Sequence, residues 1–420
     1  MGGPRTALHL KVAEELERRR SNRLKEVAET LAHHYAATAR ADKAFGYLAM
    51  AGDKSFEVYA IPEAEQYFRR ALEVFEKDSA CANQPYVVRV IVRLLAALHF
   101  NADVRNVGLI ARKFMPLIRQ AGETTDLVIA YYYQAFSLLW NLELRGSHEL
   151  SAEAARVAGR LCDARARSYA GLGLFLARIA LGLDSLDAAD RMKAGLIEDA
   201  RSSGDILVLI DTNAFIGLDY MYRGLQEEMR ATARKLVALG EERNDPRAIG
   251  LASALLGWTS ILSDNPDSAL AAADECIRVG IAPNDRLSAS MIKAIATILL
   301  GRPRDGLAQL DALIPELERL GSTYLIQLAP RGVALAMLGQ ISDGIRVVKQ
   351  QIARCDRIGD QSPGAFARII LAEIYIQILS GKDKPPASVL LKNFWAILYA
   401  MVFGARRART LLQERRGSIS

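Results

Sequence analysis

Apolar residues recur at i, i+3, i+4 and i+7 in one segment of the chain after another, as in Ala269, Ala272, Ala273, Cys276 and Ile277. That is the period of an amphipathic helix. Each segment runs for about 15–20 residues before a turn signal interrupts it, which suits four or five helical turns. Two interleaved series of turn signals are present. One comprises Gly146, Gly182, Gly224, Asp264-Asn265, Gly301, Gly339 and Gly381. The other comprises Gly122, Cys162-Asp163, Gly204, Arg243-Asn244, Gly280, Gly321 and Gly359. Within each series the step is about 39 residues, a repeat length that belongs to stacked helix pairs. A lone helical hairpin cannot bury its apolar face, so it must stack on its neighbours. Strand-type alternation is absent over any useful length. The expected fold is all-α, a right-handed solenoid of about nine helix pairs running on the order of 90 Å.

The small residues characterise the repeat. In Ala64–Glu73 an alanine is followed by an aromatic four residues on, Phe68, and by Ala71 three further. This order resembles the second helix of a tetratricopeptide repeat. Leu256-Gly257 followed by Ala269 resembles its Leu-Gly and Ala positions, and Gly301–Gly306 and Gly339–Gly344 resemble its inter-helix turn. Near the N-terminus, Leu24–Tyr35 leads into Asp42–Leu48 and Ala51–Lys54. With Lys384-Pro385-Pro386 and the arginines Arg406, Arg407 and Arg409, this succession resembles the C-terminal array of bacterial multidomain adenylate/guanylate cyclases that carry a signal-transduction ATPase module. It is also similar to the helical region of maltose-regulator-like transcription activators. The resemblance covers the array alone; nothing in these residues matches the cyclase or ATPase domains. It implies a non-catalytic regulatory or interaction arm, as in a truncated or split gene product. The alternatives are a cyclase activity, as in full-length proteins of that family, and an effector-sensing arm of a transcription activator.

The domain organisation expected is an N-terminal helix over 1–23, N-terminal pairs over 24–121, the main array over 122–381, and a segment over 382–420 with a Pro-Pro linker, an apolar capping helix and a basic tail. Residues 381–420 hold eight of the 54 Lys/Arg and two of the 48 Asp/Glu, leaving 46 of each sign elsewhere. The body is thus neutral, which argues against a nucleic-acid-binding face. The apolar stretch within 388–405 is uninterrupted only from Phe394 to Ala405, short of the roughly 20 residues a bilayer span needs. A cap on the last pair is favoured over membrane contact. Cys81, Cys162, Cys276 and Cys355 have no CxxC or Cys/His spacing, which reads as scattered packed thiols in a reducing cytoplasm.

No catalytic, cofactor or metal site is expected. Gly46–Lys54 superficially resembles a phosphate loop, but Asp53 separates Gly52 from Lys54 and no strand precedes it. Gly52 instead falls on the repeat's close-packing glycine. His33 and His34 are adjacent, about 100° apart on a helix and so not expected to converge on one ion, and His9, His99 and His148 stand alone in sequence. Asp184, Asp187 and Asp190 fall three apart at a helix start, where capping is the ordinary role. Gly171-Leu172-Gly173 lacks the third glycine of a dinucleotide fingerprint. One stripe rises above this background. Tyr132, Phe136 and Trp140 lie at i, i+4 and i+8 on a first helix, the kind that lines a concave wall, and could anchor a protein or peptide there. The competing reading is core packing. The partners expected are therefore a peptide in the groove or an upstream ATPase/cyclase module.

Overall fold

The computed structural model describes residues 3–184, 186–321 and 329–380, together with 393, 397, 398 and 409. Among them are nineteen α-helices and no strand. The chain enters through α1 (Pro4–Arg19), α2 (Ala28–Ala36), α3 (Ala41–Glu57), α4 (Ile61–Lys77), α5 (Gln84–Phe100) and α6 (Val104–Gln120). It continues through α7 (Thr125–Trp140), α8 (Leu144–Arg160), α9 (Ala164–Leu181), α10 (Leu186–Ser202), α11 (Ile206–Arg223) and α12 (Gln226–Arg243). It ends with α13 (Pro246–Leu262), α14 (Pro266–Val279), α15 (Pro283–Leu299), α16 (Pro303–Leu320), α17 (Ala329–Met337), α18 (Ile341–Ile358) and α19 (Gln361–Ser380). The fold is an all-α solenoid.

The ends of these helices follow from local chemistry. Pro62, Pro85, Pro246, Pro266, Pro283 and Pro303 stand in first turns, where no N–H is missed. Asp163, Asp205 and Asp245 cap α9, α11 and α13 through their carboxylates. Gly182, Gly224, Gly321 and Gly359 close helices in the left-handed conformation that glycine adopts at least cost. Gly146 departs from its expected role. It lies inside α8, and Leu142 takes the left-handed position of that turn instead (φ 67°). The boundary expected after residue 23 falls within a short 3-10 segment, Ser21–Val27.

The small-residue pattern packs as a close-contact device. Ala64, Phe68 and Ala71 are all fully buried. A Cβ on Gly52 would sit 2.5 Å from Phe68 Cε1, so the ring occupies the space a side chain would need. Gly306 and Gly344 meet backbone carbonyls of the neighbouring helix just as tightly. Gly257 approaches Ile292, but Leu256 is half exposed and does not join the core.

Each odd-numbered helix from α3 to α19 touches the next odd-numbered one, forming an inner layer, while the even-numbered helices lie outside it. Within that layer α7 is covered around almost its whole circumference. In α7 the run Leu127–Tyr133 is buried without a break. An amphipathic helix of a thin layer would alternate faces; seven consecutive buried residues require neighbours on every side. Elsewhere in the array contacts also come from far along the chain. Tyr59 donates to Asp245, Arg105 Nη2 donates to the Glu318 carbonyl at 3.1 Å, and α19 packs on α9 and α11. The array is therefore wound tightly enough to touch itself, and not laid out as an extended rod. Counting helix spacings alone, as in the 90 Å expectation, leaves out this winding.

Candidate functional site

The axis of the coil, where the inner helices converge, holds a buried ionic cluster. Arg247 on α13 donates from Nη2 to Asp211 Oδ1 on α11 at 2.6 Å. Its Nε lies 3.7 Å from Asp285 Oδ2 on α15, and its guanidinium stacks over Phe100 of α5 at 4.4 Å. His99 Nε2, also from α5, is 3.6 Å from Asp211 Oδ2. All four polar residues are buried. Asp245, which caps α13 by accepting from the Arg247 and Ala248 amides, also accepts from Tyr59 of the α3–α4 turn. Elements from both ends of a coil turn thus meet on one arginine.

Electrostatics divides the two acids around Arg247. Burial works against the Asp211 carboxylate, but Arg247 and His99 outweigh it and hold its pKa below the usual value. Burial pushes Asp285 up to about 6, Arg247 opposing and Asp211 and Asp245 adding to the rise. Arg247 Nη1 and His99 Nδ1 make no hydrogen bond to the protein. Arg247 is raised further by its acids despite its burial, so it remains a cation. The cluster has an acid, a base and an imidazole, but it is enclosed by α5, α7, α11, α13 and α15. Enclosure suits it to hold the coil together more than to turn over a substrate.

The aromatic stripe packs into the same interior. Tyr132, Phe136 and Trp140 are 1%, 4% and 2% exposed. Phe136 stacks on Trp140 with centroids 4.0 Å apart, meets His99 edge-on at 4.5 Å, and both rings approach Phe215 of α11. Tyr132 meets Tyr169 of α9 at 5.2 Å. Of the two readings the sequence leaves open, these contacts are those of core packing. The concave wall expected to receive a peptide is filled by the protein's own rings. Near Trp140 there remains a small pocket lined also by Leu139, Leu176, Phe215 and Tyr222.

The remaining expectations divide. Gly46–Lys54 lies within α3, with Lys54 Nζ held by Glu29 at 2.9 Å, so no loop is available there to surround a phosphate. Asp184 and Asp190 do not cap. Asp184 binds Arg178 through both oxygens, and Asp190 pairs with Arg223 and Lys193 beside the buried Asp219. Cys81, Cys276 and Cys355 are buried, and burial pushes the last two thiols up to about 12. Cys162 corrects the packed-thiol expectation: it is exposed, because it sits in the α8–α9 link and not on a helix face. The proposed cap at 388–405 lies outside the described residues apart from three positions. One of these, Asn393, is buried, accepting from Ser342 N and donating to Gly339 O at the α17–α18 turn. No helix among the described residues is long and apolar enough to cross a membrane.

His9 does not stand alone. It packs from α1 against the last turn of α2, its Nδ1 2.9 Å from His34 Nδ1, with His33 beside both. Spacing along one helix cannot reveal a third histidine delivered by another. Burial, then the neighbouring His9 and His33, hold His34 below its ordinary pKa.

The axial cluster was also missed, although a signal exists. Asp211, Arg247 and Asp285 are 36 and 38 residues apart, close to the repeat, and each interrupts or begins an apolar inner helix. Charged residues recurring in phase on the buried helix of a repeat mark groups that meet across its axis.

The class defined by these observations is a helical-repeat solenoid with a sealed polar axis. No protein-family model matches the chain. No curated protein matches it either. Among solved structures it is similar to a circular tandem repeat protein with novel repeat topology and enhanced subunit contact surfaces, at 14% identity over 99% of this chain and 90% of that one, with a TM-score of 0.16.

Proposed function

We propose that the chain is a non-catalytic interaction and regulatory scaffold, and within that class a tetratricopeptide-type sensor arm like those of bacterial adenylate/guanylate cyclases. The observation that carries the reading is the filled axis. Inner helices that would otherwise offer a catalytic or peptide-binding concavity spend their side chains on Arg247, its acids and a stack of rings. Contact with a partner then falls to the outer helices and the helix turns, which suits docking to another folded module better than threading a peptide. The resemblance over Leu24–Lys54 makes an ATPase or cyclase module the favoured partner. The one segment with a nucleotide-loop flavour is helical, and its lysine is already paired.

Purified chain is expected neither to hydrolyse ATP nor to form cyclic nucleotides from ATP or GTP. The assay is product formation through two orthogonal purifications. Activity that persists at constant specific value and disappears in Lys54→Ala would overturn the non-catalytic reading.

A further inference from the structure

We infer that His9, His33 and His34 form a divalent transition-metal site, with zinc the metal they fit, that fastens the first helix to the second. Three imidazoles each offer one nitrogen, and those three nitrogens lie within 4.8 Å of one another. Around a tetrahedral zinc with bonds near 2.0–2.1 Å, ligand nitrogens stand roughly 3.4 Å apart. The pair His9 Nδ1 and His34 Nδ1, at 2.9 Å, is slightly inside that spacing, and the nitrogen of His33 lies within 4.8 Å of both.

The donor set selects the metal. It is all nitrogen, with no carboxylate in it, which disfavours magnesium and calcium and suits zinc, copper and nickel. His9 and His34 are half-buried and His33 is exposed, so one side of the cluster opens to water and can complete four-coordination. Three neutral imidazoles leave the ion's two charges uncompensated, consistent with an exchangeable site of moderate affinity and not a permanent one.

The site lies where the fold most needs a tie. Of α1 only Ala13 is buried, while Leu8 and Val12 are 62% and 39% exposed. Other than through Leu10 and Leu16, the helix is held mainly by Glu17, which accepts from Tyr35, Tyr47 and Lys43. An ion shared between residue 9 and residues 33 and 34 closes the chain segment between them and restrains a helix that has one buried side chain.

The test uses the full chain freed of metal by chelator. Titration with zinc chloride at pH 7.5, followed by calorimetry, is expected to show one saturable equivalent. Cobalt(II) in its place should give the visible absorption of a low-coordinate nitrogen site. Amide exchange over residues 4–19 should slow on zinc addition. His9→Ala and His34→Ala should each weaken binding by more than about tenfold, whereas His148→Ala should leave it unchanged; circular dichroism of each variant confirms that the helices persist. His33→Ala, at an exposed position, provides a third ligand deletion that the fold tolerates. Absence of a saturable equivalent in the parent chain, or equal affinity in His9→Ala, would overturn the assignment.

Discussion

The two halves of the coil bury their apolar surface differently. From α2 to α11 a single continuous core runs through Phe45, Phe68, Leu94, Tyr132 and Phe175. From α11 onward the buried residues divide into four small clusters, in α11–α13, in α13–α15, in α15–α17 and in α17–α19. Those clusters are made largely of alanine, leucine and isoleucine, with Tyr375 the one large ring among the most deeply buried side chains there. Big rings reach past their own pair and merge neighbouring cores, whereas alanines let helices approach but fill only the gap between them. The first half is built to unfold as a unit. The second half is closer to a string of pairs, each stabilised by its nearest neighbours.

Truncation of core residues tests this difference most strongly. Phe175→Ala should cost about 3–5 kcal/mol and Leu310→Ala about 2–5 kcal/mol where they act. Trp140 reports on the first half and Trp258 on the second. With Trp395 replaced by phenylalanine and each remaining tryptophan followed separately in urea, Leu310→Ala should shift only the Trp258 transition. Phe175→Ala should shift the Trp140 transition as a whole. Superimposed transitions in both variants would mean that the halves form one cooperative unit despite their different cores.

A smaller effect is expected where the halves join, and pH reveals it. Asp285 has an unfolded-state pKa near 3.8 and a folded value of about 6. Below the lower value the acid is protonated in both states and its stabilising share is fully present. Between the two, the folded chain keeps a proton that the unfolded chain has released, so stability is lost as pH rises through about 6. Asp285→Asn, which imitates the protonated acid, should remove that loss. The readout is the urea midpoint of the two proteins from pH 4 to pH 7.5. Their difference should move in favour of the variant as pH rises, and a constant difference would show that Asp285 ionises as freely as in the unfolded chain.

How much of this was legible depends on whether the determinant is local. Ala64, Phe68 and Ala71 stand on one helix, and Gly52 is within reach along the same hairpin, so sequence spacing suffices to place their contact. Gly182 and Gly224 end helices by their own backbone freedom. Gly146 misled because Leu142, four residues earlier, adopts the strained turn without a glycine to mark it. The axial cluster and the three histidines depend on winding and on docking of separate helices. Tyr59 and Asp245 are 186 residues apart, and no local periodicity encodes their meeting. The stripe from Tyr132 to Trp140 has the spacing of a groove and of a core alike. Only the closure of the coil decides between them.

That closure can be tested by its weakest contacts. Tyr59→Phe removes one hydroxyl bonded to Asp245 but leaves the aspartate capping α13, so the expected cost is about 1 kcal/mol. Arg105→Ala removes the exposed bond to the Glu318 carbonyl and should cost less. If the coil's turns are held by such contacts acting together, each alone can be lost while the other keeps the turns in register. The double variant should then lose more than the sum of the singles by at least about 0.5 kcal/mol, and its radius of gyration by X-ray scattering should rise. Distant, independent contacts instead add to within roughly 0.3–0.5 kcal/mol. Additive losses with an unchanged radius would mean that nearest-neighbour stacking fixes the winding and that the long-range bonds merely decorate it. The continuous aromatic core of the first half would then be the cause of the closed axis, and not one of its beneficiaries.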